Sequence, residues 1–300
     1  MVPLPGGVSS DIRVVQAPDG ELVVKTALDR LKVAVEWRAD PARSATEVEA
    51  IRAAAELIGP DAVPQIVWVR PEQHSFAMRH VDRRLRNWKQ DLLAGRIDPA
   101  TARAAGTLLA RLHRRSMARP DLAGRFADVT YFRALRIVPF FNRVAERCPD
   151  LARALDAVVR GMSGRAVALV HGDYSPKNIM ADGADLVILD FEVAHWGDPR
   201  FDVAFCLSHL LLKAHRRDAD RTALVRAAGG FLEAYAAEDG PAPDDPNLVS
   251  LLGCLMMARL EGVSPVDYLG DLDVPRTRAL ARSMMLDPQP SAHQWLTSVP

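Results

Sequence analysis

Val170-His171-Gly172-Asp173-Tyr174-Ser175-Pro176-Lys177-Asn178-Ile179-Met180, followed by Leu189-Asp190-Phe191-Glu192, is the stretch from which the fold of this chain can be read. An apolar run, Ala166 to Val170, leads into it, and a second, Leu186 to Leu189, separates its two parts. Both runs are short and β-branched, the pattern of buried strands, here bracketing two polar loops. Strands that bury themselves while presenting Asp173, Asn178, Asp190 and Glu192 need cations opposite those groups. Two such loops side by side can hold a divalent metal against phosphates and leave one carboxylate for proton chemistry.

The spacing His-Gly-Asp-x-x-x-x-Asn, then Asp-x-Glu, resembles the catalytic core of the aminoglycoside phosphotransferase / choline kinase / methylthioribose kinase superfamily. That resemblance implies an α+β, bilobal protein-kinase-like fold. It places a small β-rich lobe at residues 1–79, a hinge at about 79–82 and a larger, mainly helical lobe at 83–300. It also implies roles: Asp173 as the catalytic base, or the group that orients the hydroxyl, and Asn178, Asp190 and Glu192 as metal ligands. Asp202, opening a later helix, would hold backbone N–H groups of the catalytic loop. The implied cofactors are ATP, or GTP in its place, and Mg²⁺. Asp-x-Glu in place of Asp-Phe-Gly is particularly similar to methylthioribose kinase. Ser175-Pro176 and Lys177 depart from that enzyme, and Lys177 is a candidate contact to γ-phosphate or an acidic substrate.

Outward from this core, composition narrows the partners. The 300 residues carry 38 Lys and Arg against 38 Asp and Glu, so no bulk charge recommends a nucleic acid or an anionic membrane as partner. Cys148, Cys206 and Cys254 are widely spaced with no Cys-x-x-Cys, which reads as reduced thiols in a cytoplasmic protein. Neither a signal pattern at the start nor an apolar run of about 18 residues is present.

Upstream, a small-residue turn with Gly7, Ser9 and Ser10 precedes an apolar strand, where backbone N–H groups can cradle phosphates. Residues 12–26 read as a hairpin about Pro18-Asp19-Gly20-Glu21. Its second strand contains Lys25, which is either an exposed strand residue or, by the resemblance, the lysine on the α- and β-phosphates. Leu31 to Trp37 reads as another strand. Asp40-Pro41 caps a helix from Ala42 to Leu57 that offers Glu47 or Glu49 to Lys25, with Glu47 favoured by the resemblance. Val63 to Val69 and Ser75 to Met78 form an antiparallel pair. Arg79 and Val81 then fall where the family offers backbone groups to adenine.

Downstream, helices are expected at Trp88 to Gly95, Asp98 to Arg115, Tyr131 to Cys148, Leu151 to Met162, Val203 to Ala214, Ala219 to Ala236, Pro246 to Glu261 and Val274 to Met285. His195, Trp196, Arg259 and Glu261 are candidate substrate contacts, and the carboxylate-rich stretch from Glu233 to Asp245 could flank a cationic acceptor. The activity these readings converge on is ATP-dependent phosphorylation of a hydroxyl on a sugar-like or other metabolite alcohol. An aminoglycoside phosphotransferase conferring antibiotic resistance is the alternative, and a nucleotide-binding pseudokinase is the reading of another class.

Overall fold

The computed structural model describes residues 2–4, 8–32, 37–241, 245–288, 291, 292 and 296. Its first part is an antiparallel sheet of β1 (Val2–Pro3), β2 (Ser10–Ala17), β3 (Gly20–Ala27), β4 (Ile66–Arg70) and β5 (Ser75–Arg79), in the order β1-β2-β3-β5-β4. Gly20, at φ +116°, turns β2 into β3. The register sets Lys25 opposite Ile12 on one side and Phe76 on the other, in the middle of the sheet. Side chains alternate along a strand, so Lys25 shares the buried face of Val23. Helix α1 (Arg43–Ile58) packs on the sheet with Glu47, Val48, Ala50, Ile51, Ala54 and Leu57 buried. The expected strand from Leu31 to Trp37 lies partly outside the described residues. At its ends, the Leu31 N–H donates to the Trp37 carbonyl and Arg30 is bridged to Arg38.

The second part is mostly helical. It begins with β6 (Arg86–Asn87), α2 (Trp88–Leu93), α3 (Pro99–Met117), α4 (Pro120–Arg125) and α5 (Thr130–Phe132). A π-wound segment, Arg133–Asn142, then runs straight into α6 (Arg143–Arg147), where sequence periodicity predicts one α-helix. Pro139 lies inside it; a proline cannot donate to the helical ladder, and the widened turn frees its carbonyl for the Val263 N–H. After α7 (Ala152–Ser163) come β7 (Ala168–Val170), β8 (Ile179–Asp182), β9 (Asp185–Ile188) and β10 (His195–Gly197). The remaining helices are α8 (Arg200–Ala214), α9 (Asp218–Ala237), α10 (Pro246–Glu261) and α11 (Val274–Leu286). Alanine at Gly106 on α3 would put Cβ 2.1 Å from the Phe231 carbonyl, which is how closely α3 and α9 approach.

The short strands do the positioning. β8 and β9 form a hairpin pairing Ile179 with Ile188, and the Leu189 N–H extends the ladder to the Asn178 carbonyl. Asn178 and Asp190, on either side of the hairpin, therefore leave it at the same end. β10 pairs with β7, His195 opposite Val170, so the chain after Glu192 returns beside the strand that enters the Asp173 loop. Every residue of α8 is buried, including Asp202, His209 and Lys213. A helix buried all round is normally apolar, so each of those polar groups calls for a partner.

Candidate active site

β3, α1 and the loop after β9 meet at one ammonium. Lys25 Nζ donates to Glu47 Oε1 at 2.7 Å and to Asp190 Oδ1 at 2.5 Å. Glu49 lies elsewhere, paired with Arg52 and Arg125 at the surface. Burial disfavours the Lys25 ammonium, but Asp190, Glu47 and Glu192 outweigh it and raise its pKa. Burial also opposes ionisation of Asp190, yet Lys25 and Lys177 hold its carboxyl well below the usual range. Glu47 is pushed upward by burial and by the charges of Asp190 and Glu192, against the pull of Lys25.

Arg43 is a part of this site that sequence reading missed. It is fully buried, donates to Glu192 Oε2 at 3.0 Å, and binds the carbonyls of Ala39, Asp40, Ser9 and Leu28. Arg43 and Glu47 are four apart on α1, hence on one helical face, and that spacing was the available signal. Arg43 also explains a correction. Ser9 and Ser10 are buried rather than forming an open cradle, because Arg43 holds the Ser9 carbonyl, and the Ser10 hydroxyl has no partner. Gly7 lies outside the described residues.

The Asp173 loop is held from below. Asp202, buried at the start of α8, accepts from the N–H groups of His171 (2.6 Å) and Gly172 (2.8 Å) and faces His113 Nε2 at 3.1 Å. His113 in turn meets the Tyr235 hydroxyl at 2.9 Å. Burial opposes the Asp202 charge, but His113 and the loop N–H groups hold its pKa low. Gly172 has φ +77°, and a Cβ there would lie 2.7 Å from the Val193 carbonyl, so only glycine fits. His171 accepts from the Asp173 N–H at Nδ1 and meets the Leu189 carbonyl at Nε2, the neutral tautomer that its burial-lowered pKa favours. It ties the two loops together.

Asp173 itself is engaged on both sides. Asn178 Nδ2 donates to its carboxylate at 2.7 Å and to its carbonyl at 3.0 Å. Arg136, from the π-wound segment, approaches the other carboxylate oxygen at 2.8 Å and donates to the Gly172 carbonyl. Nothing in the local sequence marks Arg136; the widened helix brings it here, as π-turns at functional sites often do.

Glu47, Asp190 and Glu192 offer carboxylate oxygens all within 4.8 Å of one another. Three carboxyl groups face two cations, Lys25 and Arg43, and this deficit of one cation adds to burial in pushing Glu47 upward. A hard divalent cation fits that deficit and that all-oxygen donor set. Asp190 keeps one oxygen free of Lys25, Glu192 one free of Arg43, and among the described residues no donor reaches the amide oxygen of Asn178.

Other sequence candidates fall in different places. Lys177 is exposed on the same loop, and its charge acts on both Asp190 and His209. At the end of β5 the Arg79 N–H is spent on the Gln65 carbonyl and that of His80 on Glu21, while among the described residues the Val81 N–H has no partner. His195, a candidate substrate contact from the sequence, is buried, stacked on Phe132 at 4.0 Å and bonded to the Val193 carbonyl. Trp196, opposite Leu169, spends its indole N–H on the Ala166 carbonyl. Glu261 turns away toward Arg278, since two positions along a helix is about 200° of rotation from Arg259. In the stretch from Glu233 to Asp245, residues 242–244 lie outside the described residues. Glu233, Glu238 and Asp245 are consumed by Arg103, Arg111, Arg165 and Arg200, away from Asp173.

His195 gives a pH prediction. Burial pulls its pKa down to about 4, against about 6.5 in the unfolded chain. Between those values the unfolded state takes up the proton, so stability is full above about pH 6.5 and is lost as pH falls toward 4. The loss attributable to His195 should reach about 2 kcal/mol by pH 5. Urea melts at pH 7.5 and 5.0 should show a smaller loss in His195→Leu than in wild type; equal losses would mean the imidazole is charged in the fold.

Residues 1–246 match the family model described as "Phosphotransferase enzyme family". A methylthioribose kinase of Bacillus cereus (strain B4264) is 23% identical over 328 aligned positions, covering 91% of this chain and 82% of that protein. Among solved structures, an amicoumacin kinase in complex with AMP-PNP, Ca²⁺ and Ami superposes with a TM-score of 0.60 at 12% identity, covering 98% of this chain and 93% of the other. A microcompartment-associated aminopropanol kinase gives a TM-score of 0.56 at 16% identity, covering 94% and 90%. The fold is thus the bilobal, protein-kinase-like α+β fold.

Proposed function

The chain belongs to the phosphotransferase enzyme family, and on that premise we propose that it transfers the γ-phosphoryl group of ATP, with Mg²⁺, to a hydroxyl of a small-molecule alcohol. The observation that carries the reading is the meeting of Lys25, Glu47 and Asp190 from three separate elements, with Asp173 and Asn178 at the same end of the β8–β9 hairpin. Lys25, oriented by Glu47, binds the α- and β-phosphates. Asp190, Glu192 and Asn178 hold the metal, which when bound neutralises charge on the phosphoryl oxygens. Asp173, fixed by Asn178 and Arg136, orients the acceptor hydroxyl and receives its proton at a carboxylate oxygen. In this reading residues 1–79 form the nucleotide lobe and 83–300 the catalytic lobe. The hinge at 79–82 offers adenine the Val81 N–H, in place of the Arg79 N–H that the Gln65 carbonyl has already engaged.

No helix among the described residues is long and apolar enough to cross a membrane. The three cysteines are free and two of them are buried, which supports a reducing, cytoplasmic setting. An aminoglycoside acceptor has less support, because Glu233, Glu238 and Asp245 of the acidic stretch are paired with arginines away from Asp173. Incubation with ATP and Mg²⁺ across sugars, nucleosides, hydroxy acids, amino alcohols and aminoglycosides, read by mass spectrometry, should show one acceptor gaining one phosphate. Nucleotide binding with no acceptor turned over would favour a pseudokinase.

A further inference from the structure

We propose that the acceptor alcohol carries an anionic group, a carboxylate or a phosphate, bound by Lys213 and Arg259 in a cationic recess beside Asp173. This rests on the phosphotransferase reading above and names the substrate class of that same site. Lys213 is 2% exposed near the end of α8. Its ammonium meets only neutral groups, the His209 carbonyl at 3.1 Å and the Tyr268 hydroxyl at 3.4 Å, above the Tyr268 ring. Among the described residues no carboxylate lies within 4 Å of it. A buried ammonium without a counter-ion is one of the more expensive arrangements in a protein.

Arg259 repeats the situation one layer nearer the catalytic loop. Its guanidinium lies over Phe140 at 4.8 Å and Phe205 at 5.3 Å, and it reaches the Ser264 carbonyl and His209 Nε2. Its Nε–H is buried and has no partner among the described residues. Because His209 accepts from Arg259 it is neutral, and burial together with Arg259, Lys213 and Lys89 holds its pKa well below the usual value. Arg136 lies over the same two rings and is the cation that grips Asp173. A path of contacts therefore leads from Asp173 through Arg136 and the Phe140–Phe205 pair to Arg259, His209 and Lys213.

Charges along this path do not cancel. Asp173 is taken by Arg136, and Asp267, on the rim, is taken by Lys89 at 2.6 Å. Lys213 and Arg259 remain, two basic groups with no carboxylate in contact among the described residues. The strain registers in both: burial and the neighbouring cations lower Lys213 to about 7 and Arg259 to about 10. A bound carboxylate or phosphate supplies the missing charge and satisfies the idle donors. A cationic acceptor would meet like charges instead. Lys89 and Arg259 keep some solvent exposure, so the proposed anion would enter from their side.

The test uses matched alcohols of one skeleton: glycerate and glycerol, gluconate and sorbitol, ribose 5-phosphate and ribose, with ethanolamine, choline and kanamycin as cations. With ATP and Mg²⁺, an anionic member should exceed its neutral partner in kcat/KM by at least ~30-fold, the value of one charge-assisted hydrogen bond. Lys213→Met, which keeps the volume, and Arg259→Gln should each raise KM for that acceptor by a similar factor, far more than they lower kcat. Preference for a neutral or cationic acceptor, or an unchanged KM in folded variants, would overturn the proposal. Should no alcohol of any charge be phosphorylated, the phosphotransferase reading falls. The recess is then judged separately by calorimetric titration with inorganic phosphate and the same acids. Binding that Lys213→Met weakens upholds it, and absence of binding overturns it.

Discussion

Asp173→Ala should lower kcat by about 10³-fold, the usual contribution of a positioned acid–base group, while ATP affinity stays close to wild type. The expectation follows from what Asp173 touches. One carboxylate oxygen accepts from Asn178 and the other faces Arg136, so the group is fixed in place. Phosphoryl transfer passes through a loose transition state in which the hydroxyl proton leaves late. Orientation is then the larger part of the effect. The substitution also strips Arg136, which is 7% exposed, of its counter-ion, so stability should fall by about 1–3 kcal/mol. Asp173→Asn separates the two consequences, because it keeps a neutral acceptor in place. Steady-state kinetics beside calorimetric ATP titration decide the matter: near-wild-type turnover in either variant would remove Asp173 from the chemistry.

How much of this was legible in the sequence depended on whether a residue's partner was local or distant. The hairpin carrying Lys25, the helix carrying Glu47 and the Asp173–Asn178 loop each announce themselves by turn residues, periodicity or spacing. The choice of Glu47 over Glu49 came from the resemblance, and the geometry supplies its reason: Glu47 is on the buried face of α1 and Glu49 on the exposed one. Asp202 and His113 are part of one network with Tyr235 that spans three helices, which no window of sequence displays.

The misses share a cause. Arg43, Arg136 and Lys213 are basic residues on helices, and the ordinary expectation for such residues is a solvated face. They are buried because tertiary packing brought specific acceptors, anions or aromatic faces to them. His195 differs the other way: near the metal loop in sequence and beside Val170 in the fold, it is buried with its ring stacked on Phe132. Proximity along the chain is a poor guide where a two-residue alternation decides which side of a strand a group occupies. The π-wound segment was illegible for the same reason, since its apolar residues satisfy an α-helical period and only Pro139 signals trouble.

Asp190→Asn should abolish the metal-dependent gain in nucleotide affinity and reduce turnover by about 10³-fold, the scale of losing several kcal/mol of charge stabilisation. Stability should barely change, because two effects oppose each other. Lys25 loses its contact to Asp190 but keeps Glu47 at 2.7 Å, so the ammonium is not orphaned. Glu47 and Glu192 meanwhile lose a like charge that burial makes expensive. The backbone distinguishes this variant from Asp190→Ala. Asp190 has φ +68°, a left-handed conformation that Asn adopts readily and Ala at a cost of about 1–2 kcal/mol. The Ala variant should therefore lose activity and stability, and the Asn variant activity alone. Denaturant melts give the stability difference, and ATP titrations with and without Mg²⁺ give the metal linkage. An unchanged Mg²⁺ dependence in Asp190→Asn would move the metal to Glu192 and Asn178. Matching stability losses in the two variants would mean that the carboxylate, rather than the strained backbone that carries it, holds the loop after β9 in place.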